Sequence, residues 1–265
     1  MVNPISNSTG LSALFSLNRN LAELNTTMAR LATGRRINSG SDDPAGLITV
    51  EQLSSEIAAL ETQQQSYERA YSNATIADGS SAQLSTLYGD LNSLVVQGAN
   101  TAGMSDAERD AIQMQIDTTV GSIQRLTGDA VTSLDGISLP DGGNVDAAAS
   151  LTAASVAAAS LVSGGANSLA SGNYDAAQTA ITGAIGGVAT VRGTIGAYQS
   201  DTLQTALDSG AVAIENLYAA RSRIQDTDYA EEFSRLAMYQ TLSEASFQMV
   251  NTTQKLSGSV LDLFR

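Results

Sequence analysis

Residues 14–31 read LFSLNRNLAELNTTMARL. Within them Leu14, Leu17, Leu21, Leu24, Met28 and Leu31 recur at steps of 3, 4, 3, 4 and 3, a coiled-coil seam held for nearly three heptads. The pattern stops at Thr33-Gly34, where glycine is a good helix terminator. A second stripe closes the chain: Leu242, Ser246, Met249, Thr253, Leu256, Val260 and Leu263, at steps of 4, 3, 4, 3, 4 and 3. Beside it runs a parallel stripe of Phe247, Val250, Leu261 and Phe264. Chain ends are usually polar and frayed unless something ties them down. Two striped ends therefore predict helices that bury against each other and then against further copies of the chain.

Working inward, residues 35–44 read as an ordered, turn-rich linker. Ser41, Asp42 and Asp43 supply caps and negative charge where a new helix dipole is positive, and Pro44 is tolerated in a first turn. The pattern resumes at Val50, Leu53, Ile57, Leu60, Gln64, Tyr67, Tyr71 and Ala74, then at Leu84, Leu87, Leu91 and Leu94 after an Asp78-Gly79-Ser80-Ser81 interruption. Ser105-Asp106-Ala107-Glu108 is a capping box, opening a helix with Ile112, Ile116, Val120, Ile123 and Leu126 on one face. Two short alternating runs around Asp135-Gly136 predict a β-hairpin near 131–139. The Ala/Ser/Gly-rich stretch 140–175 fits either a short helix or an irregular surface excursion. Helical stripes return with Ile181, Ile185, Val188, Ile195 and Tyr198, then Leu203, Leu207, Ile214, Leu217 and Ile224.

The expected fold is mainly α: a long helical coiled-coil rod built from both chain termini, with a small β-hairpin and a short central excursion.

Composition narrows the chemistry. Among 265 residues there is no Cys, His or Trp. That removes disulfides, sulfur or imidazole metal sites and every Ser–His–Asp arrangement. It also removes the side chain best suited to proton transfer near neutrality, so neither an enzyme nor a cofactor is expected. The formal net charge of −14 disfavours nucleic acid, which requires a basic surface. No run approaches the length of a membrane span. Met1–Gly10 lacks a basic region and an apolar core, so no cleavable signal is expected.

The stretch Leu31-Ala-Thr-Gly-Arg-Arg-Ile-Asn-Ser-Gly-Ser-Asp-Asp-Pro-Ala-Gly46 closely resembles the N-terminal signature of bacterial flagellins, L-x-[ST]-G-x-R-I-N-S-x-x-D-D-x-A-G. Ala220-Arg-Ser-Arg-Ile-Gln-Asp-Thr-Asp-Tyr-Ala230 resembles their C-terminal S-R-I-x-D-x-D-Y, and Val260–Arg265 their apolar ending closed by Arg. The resemblance covers roughly residues 1–139 and 176–265. It implies a minimal flagellin with little beyond two core domains, a terminal coiled-coil domain of residues 1–42 with 229–265 and a rod-like helical domain of residues 43–228, polymerising into the flagellar filament for motility. It also implies type III export without a cleavable signal peptide to an extracellular flagellum. The implied partners are the chain itself as a helical homopolymer, the flagellar export apparatus, an export chaperone, and the filament cap and junction proteins. The alternative within the superfamily is a hook–filament junction protein. Family members with metallopeptidase insertions need H-E-x-x-H, which a chain without His cannot supply.

The candidate assembly residues are Leu14, Leu17, Leu21, Leu24, Met28 and Leu31, with Leu242, Met249, Leu256, Val260, Leu263 and Phe264. Gly34, Arg36, Asn38, Asp42, Asp43, Arg221, Arg223, Asp226 and Asp228 are candidates for setting linker and register. Arg35, Arg36, Arg221 and Arg223 fall near Asp42, Asp43, Asp226 and Asp228. They could pair within the subunit and stiffen the linker, or pair between subunits and set filament register.

One segment departs from the family. Flagellins that activate the flagellin-sensing Toll-like receptor carry a motif resembling L-Q-R-V-R-E-L-A-V-Q, where this chain has Tyr88-Gly-Asp-Leu-Asn-Ser-Leu-Val-Val-Gln97. Asp90, Asn92 and Ser93 stand at the charged positions, and Gln115 replaces a Glu, so weak receptor activation is expected.

Overall fold

A computed structural model describes residues 5–100, 104–135 and 143–263. The described residues are almost wholly helical: α1 (Ile5–Thr33), α2 (Pro44–Ala99), α3 (Asp106–Asp135), α4 (Gly143–Ala159), α5 (Tyr174–Ala197), α6 (Thr205–Gln225) and α7 (Tyr229–Leu263). A π-helical segment, Tyr198–Gln204, joins α5 to α6. The chain divides into two compact units, Met1–Ala59 with Ile214–Arg265, and Leu60–Ala213.

Helix boundaries fall where side chains satisfy the free amides of a first turn. Asp43 Oδ1 accepts from the Gly46 amide at 2.9 Å and starts α2. Asp228 Oδ1 accepts from the Ala230 amide at 2.8 Å and starts α7. The capping box opening α3 is complete: Glu108 Oε2 accepts from the Ser105 amide at 2.8 Å, and the Glu108 amide donates to Ser105 Oγ at 3.3 Å. The Ser105 amide first, and then the Ser105 hydroxyl, which donates to Glu108 Oε2 at 2.9 Å, hold the Glu108 carboxyl below its ordinary range.

α2 runs through the polar stretch at residues 78–81 without a break. Ser81 is fully buried there, and its hydroxyl donates to the Ala77 carbonyl at 2.7 Å. The helix thus absorbs a polar residue that reads as an interruption in one dimension.

The second unit holds a continuous apolar core. Leu84, Tyr88 and Leu91 of α2, Ile116 and Ile123 of α3, Leu151 of α4, and Ile181 and Ile195 of α5 are all buried in it. The hairpin expected near 131–139 is corrected in its first strand, because Val131–Asp135 belong to α3. Ala130 and Leu134 extend the stripe of Ile116, Val120, Ile123 and Thr127, and both are fully buried. Helical phase against a waiting core outweighs local alternation there. Residues 136–139 lie outside the described residues.

Of the two readings open for the Ala/Ser/Gly stretch, the helix is found over Gly143–Ala159. Ala147, Leu151, Ala154 and Ala158 share its buried face. Gln113 and Asp117 of α3 then pin the following loop. Gln113 donates to the Leu161 carbonyl and accepts from the Leu169 amide, both at 2.9 Å. Asp117 Oδ1 accepts from the Ser163 amide at 3.0 Å.

Candidate assembly interface

α1 and α7 pack side by side and antiparallel. Asn20 Nδ2 donates to Ser246 Oγ at 3.1 Å, and Arg30 meets Glu232 at 3.7 Å. A Cβ placed on Gly10 would stand 3.9 Å from the Thr253 Cβ. These pairs run in opposite directions along the two helices, as an antiparallel seam requires.

The seam has the expected heptad period but a different face. On α1 its buried members are Ala13, Asn20 and Thr27, with Leu17, Leu24 and Leu31 half-buried beside them. Leu14, Leu21 and Met28, the other half of the sequence stripe, are 42%, 41% and 53% exposed. On α7 the seam passes through Glu232, Leu236, Tyr239, Ser243, Ser246, Val250 and Thr253, again at steps of 4 and 3. Leu242 and Met249 point away, as do Phe233 and Phe247. Leu256, Val260 and Leu263 belong to the last turns of α7, while Phe264 lies outside the described residues. The seam thus mixes leucines with small and polar residues, and a second row of large apolar side chains is left outside it.

The linker is held by backbone. Arg35 and Asp226 form an antiparallel bridge, flanked by Arg36 N–H to Gln225 O at 2.7 Å and Thr227 N–H to Gly34 O at 3.1 Å. Arg36 adds a side-chain hydrogen bond from Nη2 to the Ile224 carbonyl at 2.7 Å. Asp42 accepts from the amides of Asn38 and Ser39 at 3.0 and 2.9 Å, and Asn38 Nδ2 donates to the Arg35 carbonyl at 3.0 Å. The amide of Asn38, then the amide and hydroxyl of Ser39, hold the Asp42 carboxyl below its ordinary value. Ile37 is buried against Gly46, where an added Cβ would stand 2.7 Å from Ile37 Cδ1.

Arg35 and Asp226 thus meet through their backbones, and among the described residues the side chains of the candidate arginines and aspartates form no ion pair with one another. Asp42, Asp43 and Asp228 accept from backbone amides, and among the described residues no ion pair joins them or Asp226 to Arg35, Arg36, Arg221 or Arg223. Arg221 lies 4.7 Å over the Tyr218 ring and reaches Ser54 Oγ at 3.5 Å. Arg223 is exposed.

Two features escaped the sequence reading. The Arg30–Glu232 contact places a nearly buried carboxylate in the seam, its side chain 5% exposed. An acid standing at a heptad position, opposite a basic residue on the partner stripe, was the available signal. The π segment is the other. Among the described residues there is no cluster of metal-ligating side chains, and no helix long and apolar enough to cross a membrane.

Residues 5–145 match the family model for the bacterial flagellin N-terminal helical region, and residues 178–264 that for the C-terminal helical region. The chain is 28% identical to the flagellar filament 30.7 kDa core protein of Treponema maltophilum, covering 88% of this chain and 90% of that protein. It is 26% identical to the flagellar filament core protein flaB2 of Brachyspira hyodysenteriae, covering 98% of each. It is 27% identical to the flagellin of Bacillus subtilis, covering 94% of this chain and 99% of that one. Both matched regions contain the helices that pair at the chain ends, and the chain belongs to the bacterial flagellin family.

Proposed function

We infer that this chain is a structural subunit of the bacterial flagellar filament, polymerising through the outward faces of its terminal helices. The observation that carries the reading is the row of large apolar side chains left exposed on the outer faces of the α1–α7 pair. Asn20, Thr27, Ser243 and Ser246 lie between the helices, while Leu14, Phe15, Met28, Phe247 and Met249 face out. Fully burying a large apolar side chain is worth roughly 1.5–3 kcal/mol. Several outward residues per subunit, repeated on every neighbour, offset an association cost of about 4–15 kcal/mol. Such contacts are heterologous, and a heterologous contact that does not close into a ring propagates a helical polymer.

In this reading residues 1–42 with 229–265 form the inner coiled-coil domain and 43–228 the rod. Leu14, Leu17, Leu21, Leu24, Met28 and Leu31 meet neighbouring subunits together with Leu242, Met249, Leu256, Val260, Leu263 and Phe264. The exposure of Arg223 supports arginine contacts between subunits. Arg36, Arg221 and Arg223 would then meet acidic side chains of another copy, with Gly34, Asn38, Asp42, Asp43, Asp226 and Asp228 shaping the linker that presents them. Family membership supports an extracellular, non-enzymatic role, with export through the flagellar apparatus and contacts to chaperone, cap and junction proteins.

Electron microscopy of purified protein under polymerising conditions tests the reading, using the full chain beside a variant lacking residues 1–30. Filaments should form from the full chain alone. Filaments from the truncated chain would overturn the role given to α1.

A further inference from the structure

Along α5 the buried positions are Ala177, Ile181, Ala184, Val188, Val191, Ile195 and Tyr198, at steps of 4, 3, 4, 3, 4 and 3. The next step should be 4 and should bury residue 202. Instead the step is 5: Leu203 is fully buried and Thr202 is exposed. Beyond it the period resumes at Ala206, Gly210 and Ala213, all half-buried. One surplus residue has been inserted, and the π segment Tyr198–Gln204 takes it up.

The facing helix has its own phase fault. α2 buries or half-buries Ile57, Leu60, Gln64 and Tyr67 at alternating steps of 3 and 4, which should bring in Tyr71 next. Tyr71 is 40% exposed, and Ala70 packs against the core in its place. The period then continues from Ala74 in the shifted frame, through Ala77, Ser81, Leu84 and Tyr88. A three-residue step repeated in this way locally overwinds a helical pair.

The two faults lie opposite each other. Gln199 Nε2 donates to Thr75 Oγ1 at 3.1 Å, and Tyr67 shares with Ala206 and Gly210 a groove of about 320 Å³. The Tyr198 phenol is raised above its ordinary value, first by burial and then by the charge of the adjacent Tyr67. An ion pair between Arg192 Nε and Asp78 Oδ1, at 2.9 Å, clamps the helices on one side of the layer. On the other side the small residues of α6 leave the groove open.

We propose that this layer, Tyr67–Ala70 against Tyr198–Leu203, is a twist joint, kept for the polymer rather than for the stability of the subunit. Removing any one residue between Tyr198 and Leu203 would restore an unbroken 3-and-4 pattern from Ala177 to Ala213. The π segment is therefore not needed to bury the core. It places a wider turn opposite the three-residue step of the facing helix, and the proposal is that the two helices exchange twist there. The polymer role of the joint rests on the filament reading above, whereas its phase does not.

The test is deletion of Ser200 from the full chain, compared with deletion of Thr190, an exposed residue inside the regular part of α5. Deleting Thr190 should rotate Val191, Ile195 and Tyr198 by about 100° and unfold the second unit. Deleting Ser200 should keep the helix content and leave the thermal midpoint equal or higher. It should also slow amide exchange across residues 198–204 on the order of tenfold. Filaments lacking Ser200 should differ from wild type in curvature or pitch. The proposal is overturned if deleting Ser200 is as damaging as deleting Thr190, if exchange is not slowed, or if the two filaments have the same geometry. Should the wild-type chain form no filaments, the filament reading fails, and the midpoint and exchange comparison alone decides whether the joint exists.

Discussion

The hydroxyl of Tyr229 lies 2.7 Å from the point where a Cβ on Gly34 would stand. Gly34 is also left-handed, with φ of 69°. Two constraints therefore meet at the residue that ends α1, one from backbone conformation and one from the first residue of α7.

Replacing Gly34 with Ala should destabilise the first unit by about 1–2 kcal/mol, as the strain of a left-handed alanine and the clash add. Tyr229→Phe removes only the clash. The double variant should recover part of the loss in chemical denaturation, and the remainder measures the cost of the backbone conformation.

Tyr88 is 1% exposed, and its hydroxyl has no hydrogen-bond partner among the described residues. Burial pushes its pKa up from the ordinary phenol value of 10.0. Tyr88→Phe should leave stability unchanged or raise it by up to about 1 kcal/mol, since a buried, unsatisfied hydroxyl is removed. The folded state holds this proton longer than the unfolded state. Stability is therefore intact below pH 10.0 and falls as pH rises above it, toward the raised folded value. Thermal midpoints measured through that range should fall less steeply for the variant.

Partial burial raises the Asp117 carboxyl, but hydrogen bonds from the side chains of Ser163 and Gln113 and from the Ser163 amide outweigh it and leave it lowered. Its contribution is present above the ordinary value of 3.8 and is lost as pH falls through the folded value. Asp117→Ala should cost about 1–2 kcal/mol. Amide exchange should rise at Ser163 and Leu169 while the α1–α7 pair is untouched.

Asp90 and Ser93 are exposed on α2 and Asn92 is half-buried, where receptor-activating flagellins carry charged residues. A Toll-like receptor reporter assay should show weak activation by this chain. Joint replacement of Asp90→Arg, Asn92→Arg and Ser93→Glu should raise potency on the order of tenfold. Wild-type potency equal to that of an enteric flagellin would contradict this.

The caps were the most legible part of the fold. Asp43, and Ser105 with Glu108, sit where a helix dipole and free amides demand an acceptor, and a local rule suffices to read them, whereas Asp228, read only as a linker residue, also caps a helix. The terminal seams were legible as to helix and period but not as to face. Leu14, Leu21 and Met28 form the more apolar stripe, yet α7 takes the row of Ala13, Asn20 and Thr27. Periodicity ranks faces by apolarity and cannot say which partner each face serves. The hairpin was misread because Asp135-Gly136 is a strong turn signal in isolation, whereas Leu134 answers to a core assembled from four helices. The π segment left its mark in the step from Tyr198 to Leu203. One irregular step looks like noise until burial shows Thr202 facing out.

The claim that matters most is that the outward rows of α1 and α7 are buried by other copies of the chain. With no native Cys, single Met28→Cys and Met249→Cys variants carry one thiol each on those rows. Thiol-labelling rates should be measured on the depolymerised chain and on sedimented polymer of the same variant. The free chain should label readily, and the polymer should be protected on the order of tenfold or more. Equal rates in the two states would show that neither row is the assembly surface.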